Sequence, residues 1–196
     1  MERLPRTTAM TAVVQQAVQT LHAGGLILYP TDTVWGIGCD ATNAAAVAKI
    51  FALKRRTDRR SLIVLMIDSS MLRRHIVQLP AAASRAAEAA TTPLTIIYPQ
   101  ARNLAENVPA ADGSVAVRLV RHPFCEQLIR SFGQPLVSTS ANISGQPAPV
   151  GFADIDGAIR CGCDFIVPPV YEGTPTRRPS SIIKIGLHEE IEIIRP

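Results

Sequence analysis

The sequence predicts one α/β domain: a twisted sheet of mixed parallel and antiparallel strands with flanking helices. Three observations carry this. Apolar runs of strand length alternate with segments whose apolar residues recur at the helical period of about 3.6. Hydrophobic residues make up 47% of the 196 residues, enough to build a core for a single domain spanning 1–196. Two short β-branched segments around a turn close the chain, and they read as a hairpin rather than another crossover. About eight strands are expected.

The first helix spans 8–23, with Met10, Val13, Val14, Ala17, Val18 and Leu21 on one face and Gly24–Gly25 as its stop. A short buried strand, Leu26 to Tyr29, ends at Pro30. The segment YPTDTVWGIGCDA (29–41) is then rich in glycine and small polar residues. Thr31, Asp32 and Thr33 follow directly on a strand end, the place where open α/β sheets bind ligands. Thr42 or Asn43 caps a second helix, whose core face is Ala46, Val47, Ile50, Phe51 and Leu53.

That helix runs out at Lys54, where KRRTDRR (54–60) begins. The stretch holds Lys54, Arg55, Arg56, Arg59 and Arg60 against Asp58, a local charge equal to the +4 of the whole protein. The other residues balance to zero. Such a cluster is the footprint of a polyanion, or else a solvated arginine face at a helix end. Lys54 and Arg56 are too close in sequence to share one face of a continuing helix. If both grip one ligand, the chain is already leaving the helix at Arg55.

Ser61 to Ile67 is a continuous apolar run, typical of a strand covered on both faces. Asp68 or Ser69 caps a short helix that turns Met71, Leu72, His75, Ile76 and Leu79 inward, so His75 reads as a core residue. An alanine-rich helix (81–90) and a strand (93–98) follow. In the strand 114–120, Arg118 alternates with apolar neighbours, and a charge there must be paired or hold a ligand. Pro123 opens a helix that ends at Gly133. A strand at 135–137 runs into STSANISG, where Ser138, Thr139, Ser140, Asn142 and Ser144 crowd one strand end. This is either a surface that hydrogen-bonds oxyanions or a polar capped loop. Residues 152–161 read as helical and 164–167 as a strand. The segment 168–179 reads as a mobile loop, and 180–185 with 190–194 form the hairpin.

Several classes are excluded or disfavoured. There is no P-loop, dinucleotide fingerprint, zinc set or nucleophile elbow. Cys39, Cys125, Cys161 and Cys163 fit no metal spacing and read as reduced cysteines of a cytoplasmic protein. No apolar run reaches membrane-spanning length, and MERLPRTTAM has no signal-peptide h-region. Cations, hydroxyls and strand-end loops remain, which suit attack on a nucleotide phosphate or passive RNA binding.

YPTDTVWGIGCDA, K-x-R at 54–56, PLTIIYP (93–99), SVAVRLVRHP (114–123), PLVSTSANISG (135–145) and PSSIIKI (179–185) occur in one order. In this the chain resembles the YrdC-like family of threonylcarbamoyl-AMP synthases, in its short single-domain form. The resemblance implies a large positive cavity on the α/β sheet. It implies that ATP (with Mg²⁺), L-threonine and bicarbonate or CO2 give threonylcarbamoyl-adenylate and pyrophosphate. A partner tRNA threonylcarbamoyl-transferase complex then modifies adenosine 37 of ANN-decoding tRNAs.

The resemblance assigns Lys54 and Arg56 to catalysis and phosphate screening. It places Ser138, Ser140, Asn142, Ser144 and Arg195 on ATP. Thr31, Thr33, Arg118, Ser180 and Ser181 fall to threonine and carbamate, with Ser180, Ser181 and Arg195 closing the nucleotide end. No protein metal site is implied; Asp32 is the nearest candidate for a general base, and its expected role is structural or metal-linked. The chain departs from the family pattern at Thr57, Arg60, Ser61 and Trp35, and in lacking a histidine near Leu65. The alternative is a double-stranded RNA or tRNA binder without catalysis. A carbamoyl-transfer module of the hydrogenase-maturation type is a third reading.

Overall fold

The structure, a computed structural model, describes residues 6–55 and 62–196. The elements are α1 (Arg6–His22), β1 (Ile27–Tyr29), β2 (Gly36–Asp40), α2 (Ala44–Leu53), β3 (Ile63–Met66), α3 (Ser69–His75), α4 (Ala81–Ala89), β4 (Leu94–Tyr98), β5 (Val115–Leu119), α5 (Pro123–Phe132), β6 (Leu136–Ser140), α6 (Gly157–Cys161), β7 (Phe165–Ile166), β8 (Ser181–Ile185) and β9 (Ile191–Arg195). Among the described residues nine strands form one sheet, in the order β7-β1-β2-β6-β3-β5-β4-β8-β9. The pairs β1/β7, β3/β5 and β4/β8 are parallel, and the other neighbours are antiparallel.

Local chemistry explains the helix ends. Asn43, not Thr42, caps α2, accepting from the Ala46 amide, and Asp68 caps α3 through the Met71 amide. Gly133 ends α5 in the left-handed conformation at φ 78°. Pro80 offers α4 no side-chain cap, and the distant Glu189 supplies one instead: its carboxylate accepts from the amides of Ala81 and Ala82 at 2.8 and 2.6 Å. α1 packs on α5, where the rings of His22 and Phe132 meet at 4.9 Å. His75 is buried as expected, its Nδ1 3.1 Å from the Asn103 carbonyl oxygen.

Two expectations are corrected. The stretch 29–41 is more than a strand-end segment, since Gly36–Asp40 is β2, inserted between β1 and β6. Its glycines disguise it, because isolated glycine weakens a strand pattern. Yet glycine is required here: a Cβ at Gly38 would stand 2.6 Å from the Tyr29 ring. Pairing with β2 also carries β6 on to Ser140, so Ser138, Thr139 and Ser140 are strand residues rather than loop. The segment 168–179, read as a loop, contains a 3-10 turn at Pro169–Tyr171 and is hydrogen-bonded to the segment after β1. The amides of Thr176 and Arg177 donate to the carbonyls of Asp32 and Thr33, both at 2.9 Å.

Candidate functional site

Strand register decides which side chains meet. Gly36 lies opposite Ser140, Ser138 opposite Ile63, Leu65 opposite Arg118, and Arg118 opposite Thr95. These residues therefore share one face of the sheet. Gly36, on this face, lines the space above it, whereas the place of the missing Cβ at Gly38 is filled by the Tyr29 ring. A Cβ at Gly36 would lie 3.0 Å from the Ser138 hydroxyl. Above this face is a cavity of about 160 Å³ walled by Thr31, Thr33, Trp35, Arg118, Ser138, Ser140, Ser180 and Arg195, among others.

Arg118 is 4% exposed, and its Nη2 lies 3.1 Å from the Asp32 carboxylate. Asp32 is thus the partner that a charge inside a strand demands. The second guanidinium, Arg195, donates from Nε and Nη2 to the Ser180 carbonyl at 2.9 and 2.6 Å. Among the described residues Arg195 has no carboxylate partner. Burial first, and Arg118 second, hold its pKa below the usual arginine value. Among the described residues the cavity therefore carries one guanidinium paired with a carboxylate and one without such a partner.

The threonine pair is specified by its own hydrogen bonds. The Thr31 hydroxyl donates to the Val34 carbonyl at 2.8 Å and accepts from the Thr33 amide at 3.1 Å. With its proton spent, Thr31 accepts from the Thr33 hydroxyl, 3.0 Å away. Thr33 is left presenting acceptor lone pairs. Ser180 pairs with Thr95 through their hydroxyls at 2.7 Å.

Lys54 is 3% exposed. Its Nζ donates to the carbonyls of Ser140 and Asn142 at 2.5 and 2.6 Å, and its own carbonyl accepts from the Ser144 amide at 3.0 Å. The end of α2 and the loop after β6 are therefore clamped together. Arg55 leaves the helix with φ 51°. Arg56 lies outside the described residues, as do Thr57, Asp58, Arg59, Arg60 and Ser61.

The structure thus gathers Thr31, Thr33, Arg118, Ser138, Ser140, Ser180 and Arg195 around one cavity. Lys54, Asn142 and Ser144 stand behind it in the clamp. Asn142 spends its amide group on the carbonyls of Ile143 and Gln146. Ser181 lies opposite Leu94, which places it on the other face of the sheet. Trp35, noted in the sequence only as a departure from the family pattern, forms part of the wall: its ring packs on Phe152 at 5.0 Å and, among the described residues, its indole nitrogen is buried without a partner. A lone tryptophan amid small polar residues was the available signal.

This arrangement defines a class: an α/β domain with an arginine-flanked, hydroxyl-lined cavity on one face of its sheet. The family model of the Sua5/YciO/YrdC domain, described as "Telomere recombination", matches residues 19–196. A threonylcarbamoyl-AMP synthase of Halorhodospira halophila is 36% identical over 170 residues, covering 86% of this chain and 88% of that protein. One from Vibrio cholerae is 36% identical over 179 residues, covering 89% and 93%. The crystal structure of P. abyssi Sua5 complexed with L-threonine superposes with a TM-score of 0.81 at 26% identity, covering 94% of this chain and 52% of that one. This chain therefore spans about half of that Sua5 protein. E. coli YciO, at 21% identity and TM-score 0.80 over 94% of this chain and 88% of its own, shares the fold. The chain belongs to the Sua5/YciO/YrdC family. The expected enzyme class, a nucleotidyltransferase, is that of its curated relatives. Among the described residues no helix is long and apolar enough to cross a membrane.

Proposed function

We propose that this chain makes L-threonylcarbamoyl-adenylate from L-threonine, bicarbonate or CO2, and ATP, releasing pyrophosphate, as the first step of tRNA threonylcarbamoyl-adenosine formation. One observation carries the reading. Arg118, oriented by Asp32, and Arg195, without a carboxylate partner among the described residues, flank a single hydroxyl-lined cavity. In this reading the Arg118 guanidinium holds the threonine carboxylate. The Thr33 hydroxyl oxygen accepts a hydrogen bond from the threonine amine. That amine adds to CO2 and loses a proton, giving a carbamate. A carbamate oxygen then attacks the α-phosphorus of ATP, the bond to the bridging oxygen breaks, and pyrophosphate leaves.

Two anions must meet in this step, so charge neutralisation and positioning carry the catalysis. Arg195 and the hydroxyls of Ser138 and Ser140 face the nucleotide. Lys54 keeps the Ser140–Ser144 strand end in place beside it, and Arg56 is assigned to the phosphates. Losing one such donor costs about 3 kcal/mol of barrier. The cavity, about 160 Å³, suits an amino-acid-sized group. It falls below the roughly 300–1,000 Å³ of larger ligand pockets, so ATP extends past its rim. The guanidinium groups repel Mg²⁺ and Asp32 is spent on Arg118, so Mg²⁺ enters with ATP, on its phosphates. A cytoplasmic setting and handover to a transferase complex complete the proposal.

The test is mass spectrometry of the purified protein with ATP, Mg²⁺, L-threonine and ¹³C-bicarbonate. A labelled adenylate that needs threonine and is lost in Arg118→Ala supports the reading. No adenylate and no pyrophosphate from the wild-type protein overturns it.

A further inference from the structure

The opposite face of the sheet carries a second cavity that the proposed reaction does not use. It measures about 220 Å³. Its floor is Leu94, Ile96, Val117 and Leu119, the residues that alternate with Thr95 and Arg118 on β4 and β5. The alanine-rich sequence of α4 is the reason for the space: Ala87 and Ala90 are too short to fill it.

The mouth is polar. Arg121, Thr91, Thr92 and Thr174 stand around it, together with Asp32. Asp32 is the one acid among these lining residues, and its charge is committed to Arg118 at 3.1 Å. Its second oxygen faces the Arg121 amide at 3.4 Å. The Arg121 guanidinium has no ion pair among the described residues. Among the described residues the wall therefore has one positive charge without an ion pair above an apolar floor.

We infer that this cavity is a binding site for a small amphiphilic carboxylate, its apolar body on Ile96, Val117 and Leu119 and its head group on Arg121. The volume is smaller than that of pockets for drug-sized ligands, which limits the occupant to roughly ten heavy atoms. The positive charge of the mouth selects against a cation. Asp32 lines this cavity and pairs with Arg118, which lines the first one, so the two sites are linked through one ion pair.

The experiment is a methyl-NMR titration of the full chain with hexanoate, and with hexylamine and hexanol as probes of charge. Hexanoate is expected to give saturable shifts at Leu94, Ile96, Val117 and Leu119, with a Kd of roughly 1 mM. Hexylamine and hexanol should bind at least about tenfold more weakly. Ala87→Leu should abolish the shifts by filling the space. Arg121→Gln, an exposed change that leaves the core intact, should weaken hexanoate about tenfold. The proposal is overturned if hexanoate gives no saturable shifts, or if it binds no better than hexylamine. Shifts that persist unchanged in both variants also overturn it. None of these readouts depends on adenylate synthesis.

Discussion

The Arg118 guanidinium and the Asp32 carboxylate lie 3.1 Å apart, on strand β5 and on the segment after β1, both nearly excluded from solvent. The pair explains how a charge survives inside a sheet and keeps a fixed direction toward the cavity. Breaking a buried pair costs more than never having made it, because the remaining charge is stranded. Asp32→Ala is expected to destabilise the protein by about 3–5 kcal/mol in urea unfolding. It should also raise the KM for threonine more than it lowers kcat, since Asp32 acts through Arg118. The double variant Asp32→Ala with Arg118→Leu should recover much of the stability and none of the activity. Equal stability of the single and double variants would contradict this account.

Lys54 is expected to matter for a reason the charge cluster did not announce. Its ammonium holds the carbonyls of Ser140 and Asn142, so it shapes the wall that presents Ser138 and Ser140. Hydrogen bonds from a charged donor contribute about 1.5–3 kcal/mol each. Lys54→Met should therefore lower stability by about 3 kcal/mol and abolish pyrophosphate release. Lys54→Arg should stay largely folded yet remain impaired, because a planar fork does not reproduce a point donor between two carbonyls. Pyrophosphate release together with unfolding midpoints checks both outcomes.

The sequence made some of this legible and hid the rest for physical reasons. Local signals worked where the cause was local: a cap at Thr42 or Asn43, of which Asn43 serves, one at Asp68 or Ser69, of which Asp68 serves, and Gly133 as a stop. Arg118 announced that it needed a partner, but a partner 86 positions earlier is set by topology, which one chain of letters does not display. β2 was obscured because Gly36 and Gly38 are dictated by Ser138 and Tyr29 across the sheet, against strand propensity. Ser181 was grouped with Ser180 by adjacency, whereas the period of two in a strand separates neighbours onto opposite faces.

Two buried histidines give the stability a pH dependence. Burial lowers the pKa of His75 first, with Arg74 and Arg102 adding to it against the carbonyl of Asn103. Burial also lowers that of His122, against the Glu172 carbonyl, Asp32 and Glu126. An unfolded histidine titrates near about 6.5. Below that pH the unfolded chain takes up protons that the folded one refuses, so it is favoured as pH falls. Their contribution is complete above about pH 6.5 and declines below it. Urea midpoints at about pH 7.5 and 5.5 should differ in wild type. The difference should shrink in His75→Gln and in His122→Gln. An undiminished difference in both variants would exclude the histidines as its source.

Gly38→Ala tests the packing beneath the cavity. The added methyl would meet the Tyr29 ring at 2.6 Å and the Val137 carbonyl at 3.0 Å, and Tyr29 is fully buried. Neither neighbour is a flexible chain end: one is a ring in the core and the other is backbone. Overpacking of this kind costs about 1–3 kcal/mol, and unfolding in urea should show it. Gly36→Ala is a milder case, because its nearest neighbour is the Ser138 hydroxyl at 3.0 Å, with Thr31 at 3.6 Å. A rotation of that hydroxyl relieves the contact, so stability should fall by under about 1 kcal/mol. The same rotation moves Ser138 within the cavity, so adenylate formation should fall at least about tenfold. A Gly36→Ala protein with full activity would remove Ser138 from the reacting site, while the Gly38 result would still stand as a measure of the sheet.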